Sequence, residues 1–306
     1  MPELVPIRPD VFPALHAAFL HDDDPWTDEG GWRRVFLPDW DHGEDHAGFA
    51  LMDGGRAVGM MAMAFSQRTV RGRPHPFCNL HTWWIHPDHR GHAITMLRPL
   101  LRMRDRTLTY LSPGDRVRAL LRPLGFQPLD MQMRLLLPLW PARPQADLDD
   151  ALDGLPDGAR ELAADHAPYG VRALVVRDGA RAGLVLYTHV ERYRVRYCHI
   201  HHVSDRDLFV AREGAVRAAL MRRHGVRLVA LDARLWRGVR FARSLLFPAP
   251  AHGLLRPADG SHVEAADVDN LYTDVAMLRL ATMPSLRHEL AEPLRRRLLP
   301  HTVEAN

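Results

Sequence analysis

The sequence contains no lysine at all: every one of its 40 Lys+Arg positions is arginine. A GC-rich genome, which favours arginine codons, is a sufficient account of that bias. Cysteine is nearly absent too, with only Cys78 and Cys198. So few thiols exclude a disulfide scaffold and any zinc site built on paired cysteines, and they suit a reducing cytoplasm. No run of 18 apolar residues occurs, so no membrane span is expected. The opening MPELVPIRPD has neither a basic n-region nor an apolar h-region, so no secretory signal is expected there. Charge of one sign is scarce in excess: the net charge is +3, and no arginine block is interleaved with aromatics. A nucleic-acid groove needs such a block, so nucleic acid is not an expected partner.

What is present is ordinary globular material. Hydrophobic residues make up 46% and charged residues 25% of 306. At about 150 residues per domain, two domains are expected. The two halves also resemble each other. DGGRAVG begins at Asp53 and DGARAG at Asp178, each flanked by apolar runs, and each reads as a hairpin with a glycine turn. FCNLH begins at Phe77 and YCHIH at Tyr197. Cys198 lies 120 residues after Cys78, and LVAL at Leu228 lies the same distance after LTYL at Leu108. Three features in one order, two at the same offset, imply two copies of one fold. Pro138, Pro141 and Pro144 mark the join, since proline continues neither a helix nor a central strand. The division expected is 1–144 and 145–306.

In the first half the pattern reads strand (LVPI), helix (VFPALHAAFL), a loop rich in Asp and Trp, and two strands around Gly54. Strand CNLHTWWI, helix Ile94–Arg104, strand Thr107–Leu111, helix Arg116–Leu124 and a last strand MQMRLLLPL follow. This is an α/β order with an antiparallel start and a helical crossover.

The string WWIHPDHRGHAITMLRPLL concentrates the chemistry. An apolar strand runs through a Pro loop and Arg-Gly into an amphipathic helix. A helix N-terminus exposes backbone N–H groups and partial positive charge, small residues before it admit a phosphate, and Arg90 adds a forked cation. An anion site is therefore expected at Arg90–Thr95.

These residues resemble the signature of the GNAT superfamily of N-acetyltransferases. Ile85, Pro87, Arg90 and Gly91 match its V-x-P-x-x-R-G phrase, its two loop glycines fall on Ala93 and Thr95, and Gly125-Phe126 resembles its "lGF" helix end. The order of elements matches from Leu4 to Leu139. The resemblance implies two tandem GNAT-like folds, each a mixed, mostly antiparallel sheet flanked by helices. It implies acetyl-CoA or another acyl-CoA as co-substrate and a small-molecule or peptide amine as acceptor. Pantetheine would lie along His81–Ile85, and Trp84, Ile85, Arg90, Gly91, His92, Ala93, Ile94 and Thr95 would hold the donor. His81 stands where the family often puts a base. Its usual tyrosine, the proton donor to the leaving thiolate, is replaced by Leu121, and its usual Asn by the Ser112-Pro113 turn. In the second half DLFVAREGAV replaces the loop, so that copy is expected to be degenerate.

Each candidate also has a plain structural reading. His81, with His201 at the equivalent place, suits a buried hydrogen-bonded histidine. His86 and His92 suit solvated loop positions among 19 histidines. Glu29 and Asp22–Asp24 suit a solvated acidic run or an acidic wall for a cationic amine. His199, His201 and His202 have a metal-like spacing, but no carboxylate completes it and no metal is expected. Trp83 and Trp84 suit packing or an acyl channel, and the cysteines suit small buried hydrophobes. The absence of lysine gains a second reading beside codon bias. An enzyme that acylates amines would avoid modifying itself, because guanidinium stays protonated where a lysine amine does not. Two alternatives stand beside a CoA-dependent enzyme: a non-catalytic binding or scaffold protein, and a transferase fed by an acyl carrier protein. A homodimer is compatible with either.

Overall fold

The computed structural model describes residues 2–20, 27–139, 147–192, 195–247 and 252–280. Asp22–Asp24 and the expected join at Pro144 lie outside the described residues. The first half opens with β1 (Glu3–Pro6) and α1 (Phe12–Leu15), which passes into a π-helical turn, His16–Leu20. Helix α2 (Glu29–Phe36) starts where the Asp28 carboxylate accepts the Gly31 N–H at 2.7 Å. Three antiparallel strands follow: β2 (Gly48–Asp53), β3 (Arg56–Val70) and β4 (Arg73–Ile85). The expected hairpin at Gly54 forms. Asp53 faces Arg56, and Gly54 and Gly55 both take positive φ, 55° and 80°, as a two-residue turn matched to strand twist requires. Helix α3 (Ala93–Arg102) carries the chain across to β5 (Thr107–Tyr110), followed by α4 (Asp115–Leu121) and β6 (Gln127–Leu129).

The second half repeats this plan. After β7 (Met133–Leu136), which closes the first segment, come β8 (Asp147–Asp149), α5 (Asp157–His166), β9 (Arg172–Asp178), β10 (Arg181–Arg192) and β11 (Val195–Val203). Then come α6 (Arg206–His224), β12 (Val229–Asp232), β13 (Ser244–Phe247), β14 (Gly253–Arg256) and α7 (Asp274–Met277). Its hairpin turns between Asp178 and Arg181, with Gly179 at φ 60°.

Two seven-stranded sheets result, in the orders β1-β2-β3-β4-β5-β14-β6 and β13-β7-β12-β11-β10-β9-β8. They are antiparallel except where β5 joins β4 and β12 joins β11 in parallel. The segments 1–144 and 145–306 exchange one strand each. β14 lies between β5 and β6 of the first sheet, and β7 lies between β12 and β13 of the second. Buried guanidinium groups fasten both exchanged strands. Arg256 on β14 donates to the carbonyls of Leu100 and Met103, at 2.6 and 2.7 Å, where α3 ends. Arg217 on α6 donates to the carbonyl of Leu137, just after β7, at 2.7 Å and to that of Ala242 at 3.0 Å, while Glu213 holds its Nε at 2.5 Å.

One apolar core crosses the two folds. Phe12, Leu15, Trp32 and Phe36 of the first α1–α2 layer join Ala159, Ala163, Leu184 and Leu186 of the second fold, with Leu271 and Met277 closing it. Trp40 sits edge-on to Tyr272 at 5.0 Å. Arg68 on β3 and His202 on β11 both bind Asp269, the latter at 2.8 Å, so one carboxylate ties the sheets together. Among the described residues no helix is long and apolar enough to cross a membrane.

Candidate active site in the first fold

β4 and β5 run together for three residue pairs and then part. The pairs are Phe77 with Thr107, Cys78 with Leu108 and Asn79 with Thr109. Beyond Asn79, β4 bends. Its register against β3 slips between Met61 and Ala62, which face Trp83 and His81, so Thr82 is the extra residue of a bulge. Thr82 has φ 43°, a conformation that a β-branched residue adopts only under tertiary constraint. Past Asn79, Leu80–Ile85 pair with β3 on one edge, and β5 does not pair with the other.

The cleft has two unlike sides. Cys78, Leu80, Trp83 and Ile85 join Met96, Leu97 and Leu100 of α3 and Leu121 of α4 in one apolar cluster. On the other side His81 meets the Phe36 ring of α2 at 5.6 Å, and Trp84 stacks on Phe19 at 4.9 Å. His81 is fully buried. Its Nδ1 lies 3.1 Å from Thr82 Oγ1, and its Nε2 has no partner. Burial lowers its pKa to about 3, so the imidazole is neutral. Beside it, Asn79 takes a hydrogen bond from Thr109 Oγ1 at 3.0 Å and gives one to Asp274 Oδ1 at 3.2 Å, while Ser112 Oγ donates to the other Asp274 oxygen. Burial raises the Asp274 carboxyl pKa. This carboxylate reaches the first cleft from α7.

At the outer end of β4, Pro87–His92 form a 3-10 helix that continues directly into α3. The anion loop expected before the helix is thus helical itself. The Ala93 N–H already donates to the Arg90 carbonyl, so that donor is engaged within the chain. Arg90 is exposed and has no ion pair among the described residues. A β-carbon on Gly91 would meet nothing within 4 Å, so its flank is open. His86 caps the turn, its Nδ1 accepting the Asp88 N–H at 3.3 Å. Ile94 is 73% exposed, an unusual place for an apolar side chain. A cavity of about 630 Å³ opens beside this turn, lined by Trp84, His86 and His89 and by Ala14, Ala17 and Ala18 of the first helical segment.

At the equivalent place in the second fold, β11 and β12 likewise pair for three residues. His201 Nε2 meets Thr188 Oγ1 at 2.8 Å, and its Nδ1 meets Asn270 at 3.4 Å. His199 Nε2 lies 3.4 Å from Asp232, which also pairs with Arg234 at 3.2 Å. Arg234 donates in turn to Asn270 Oδ1 at 2.9 Å. Of the histidines that had metal-like spacing, His201 is thus in a buried hydrogen-bond network, His199 contacts Asp232, and His202 holds Asp269. Among the described residues no group of three metal-capable side chains is assembled. Both cysteines are free and buried, and burial raises the thiol pKa, to about 12 for Cys198. Glu29 sits exposed in the first turn of α2. Tyr110, Asn79 and Asp274 were not singled out by sequence reasoning. Asn79 and Tyr110 lie inside strings read as plain strand, and Asp274 is 195 residues from Asn79.

A bulged β4 that pairs with a parallel β5 for three residues, with a turn and helix at its outer end, is the arrangement against which the comparisons are set. Residues 9–126 match the family model "Acetyltransferase (GNAT) family". The first fold therefore carries the match to the GNAT family. Comparison with curated proteins finds no matching sequence. Among solved structures, a GCN5-related N-acetyltransferase from Anabaena variabilis superposes with TM-score 0.57 at 12% identity, over 84% of this chain and 73% of that one. One from Kribbella flavida gives 0.56 at 15%, over 85% and 72%. A putative acetyltransferase from Pyrococcus horikoshii gives 0.52 at 11%, over 88% and 92%. At these identities the likeness is one of fold. These structures cover 84–88% of the present chain, so the likeness extends over both sheets.

Proposed function

We propose that the first fold is an acyl-CoA-dependent N-acyltransferase that passes an acetyl group to a primary amine by direct attack on the thioester. The observation that carries this reading is the wedge between β4 and β5, with its bulge at Thr82. A thioester laid along β4 there would find backbone groups that no strand pairs, and a fixed N–H at such a point polarises a carbonyl. Trp84 and Ile85 would flank the pantetheine. Arg90, Gly91, His92, Ala93, Ile94 and Thr95 would face the pyrophosphate, with Arg90 supplying the forked cation and the turn its remaining N–H groups. His81 would take the amine's proton through its unpartnered Nε2. Burial keeps it a weak base in the free protein, so the amine must reach it with its proton already labile.

Calorimetric titration with acetyl-CoA tests the donor site. Arg90→Ala is expected to weaken binding about tenfold, the loss of one charge-assisted contact. No heat of binding in the wild type would overturn the reading. One observation favours a second reading, a non-catalytic binding protein: Leu121 puts a fully buried aliphatic side chain where the resemblance calls for a proton donor. Amine-dependent thiol release, corrected for hydrolysis, separates the two, and turnover with any amine eliminates the second.

A further inference from the structure

Aminolysis of a thioester expels a thiolate, and an apolar cleft stabilises such an anion poorly. The resemblance locates the usual proton donor at Leu121, which has none to give. Leu121 belongs to the apolar cluster formed by Cys78, Leu80, Trp83, Met96, Leu97 and Leu100, and among its hydrophobic members Tyr110 carries a hydroxyl. Tyr110 is the last residue of β5. The pairing of β4 with β5 ends one residue earlier, at Thr109, while Tyr110 pairs only with Leu254 on the far side. Its ring therefore stands at the opening of the wedge, on the face that α3 and α4 cover. The Trp83 backbone, one residue past the Thr82 bulge, hydrogen-bonds the phenol oxygen, and burial keeps the phenol protonated.

Resting on the acyltransferase reading, we propose that Tyr110 is the proton donor to the departing thiolate, its hydroxyl supplied from β5 in place of the missing one on α4. The amine nitrogen forms its bond to the carbonyl carbon, the carbon–sulfur bond breaks, and its electron pair goes to sulfur. Sulfur takes the Tyr110 proton. The surplus proton on nitrogen leaves to His81 or water, and solvent restores the phenol. The exchanged strand contributes directly: β14 fixes the backbone of Tyr110 through Leu254 where β4 no longer does.

The test compares wild type with Tyr110→Phe, using acetyl-CoA and an acetyl thioester of an acidic aryl thiol. Calorimetry and circular dichroism provide the binding and folding controls. General acid catalysis contributes about 10²–10⁴ in rate. The variant should lose about 100-fold in kcat with acetyl-CoA, keep its affinity for acetyl-CoA, and lose under about tenfold with the aryl thioester, whose thiolate leaves unaided. Equal kcat for variant and wild type, or an equal loss on both donors, overturns the proposal. So does a variant that is faster or binds acetyl-CoA more tightly, since the hydroxyl would then be filling the donor's place. A wild type that binds acetyl-CoA yet transfers to no amine overturns the acyltransferase reading itself, and Tyr110 with it.

Discussion

His81 and Asp274 are ionisable groups held where water is not, and their consequences differ. Burial lowers the His81 pKa from 6.5 to about 3, so between those values the unfolded chain binds a proton that the folded chain refuses. The stability that depends on this group is complete above 6.5 and declines as the pH falls toward 3. His201 and His166 are shifted in the same direction, also by burial. Urea midpoints should therefore drop between about pH 7 and about pH 5, and His81→Gln should reduce that drop. A pH dependence identical in the variant would contradict the burial argument. His81 was legible as a candidate because it sits in a strand just before the Pro turn. Its neutrality was not, because it comes from the α2 aromatic layer, which no local pattern links to β4. Asp274 was invisible for the same reason: its partners Asn79 and Ser112 are brought to it only by the return of the chain from the second fold.

Elements were read better than their neighbours. The hairpins at Gly54 and Gly179, the strands of FCNLH and YCHIH, and the helix after Arg90 stand in the structure as alternation and glycine placement imply. MQMRLLLPL is likewise a strand, yet it pairs with β12 and β13 rather than with the first half. A run such as Met133–Leu136 fits any open ladder of apolar neighbours, so composition does not choose between two sheets. Arg256 and Arg217 fasten the two exchanged strands where they end up. Arg256→Met should leave the Leu100 and Met103 carbonyls without their donor and cost about 2–3 kcal/mol. Thermal unfolding would show this as a lower Tm, and a loss below about 0.5 kcal/mol would mean that the guanidinium does not hold β14. The turn Pro87–His92 is the other departure. Pro and His there gave the look of a loop, but the short 3-10 repeat continues into α3 and engages Ala93.

At the scale of the whole molecule, strand exchange makes the two folds interdependent. Residues 1–144 alone would lack β14, leaving β5 and β6 without the strand that joins them. That fragment should show no protected core in hydrogen exchange and no cooperative melt, whereas the full chain should melt in one transition. An independently folded fragment would contradict this. The acyltransferase reading places chemistry in the first half and support in the second. The account stands most directly on thiol release from acetyl-CoA across a panel of primary amines. It predicts release that depends on the amine and is weakened by Arg90→Ala at low donor concentration. Release that is the same with and without every amine, in a protein that shows no binding heat with acetyl-CoA, would contradict it.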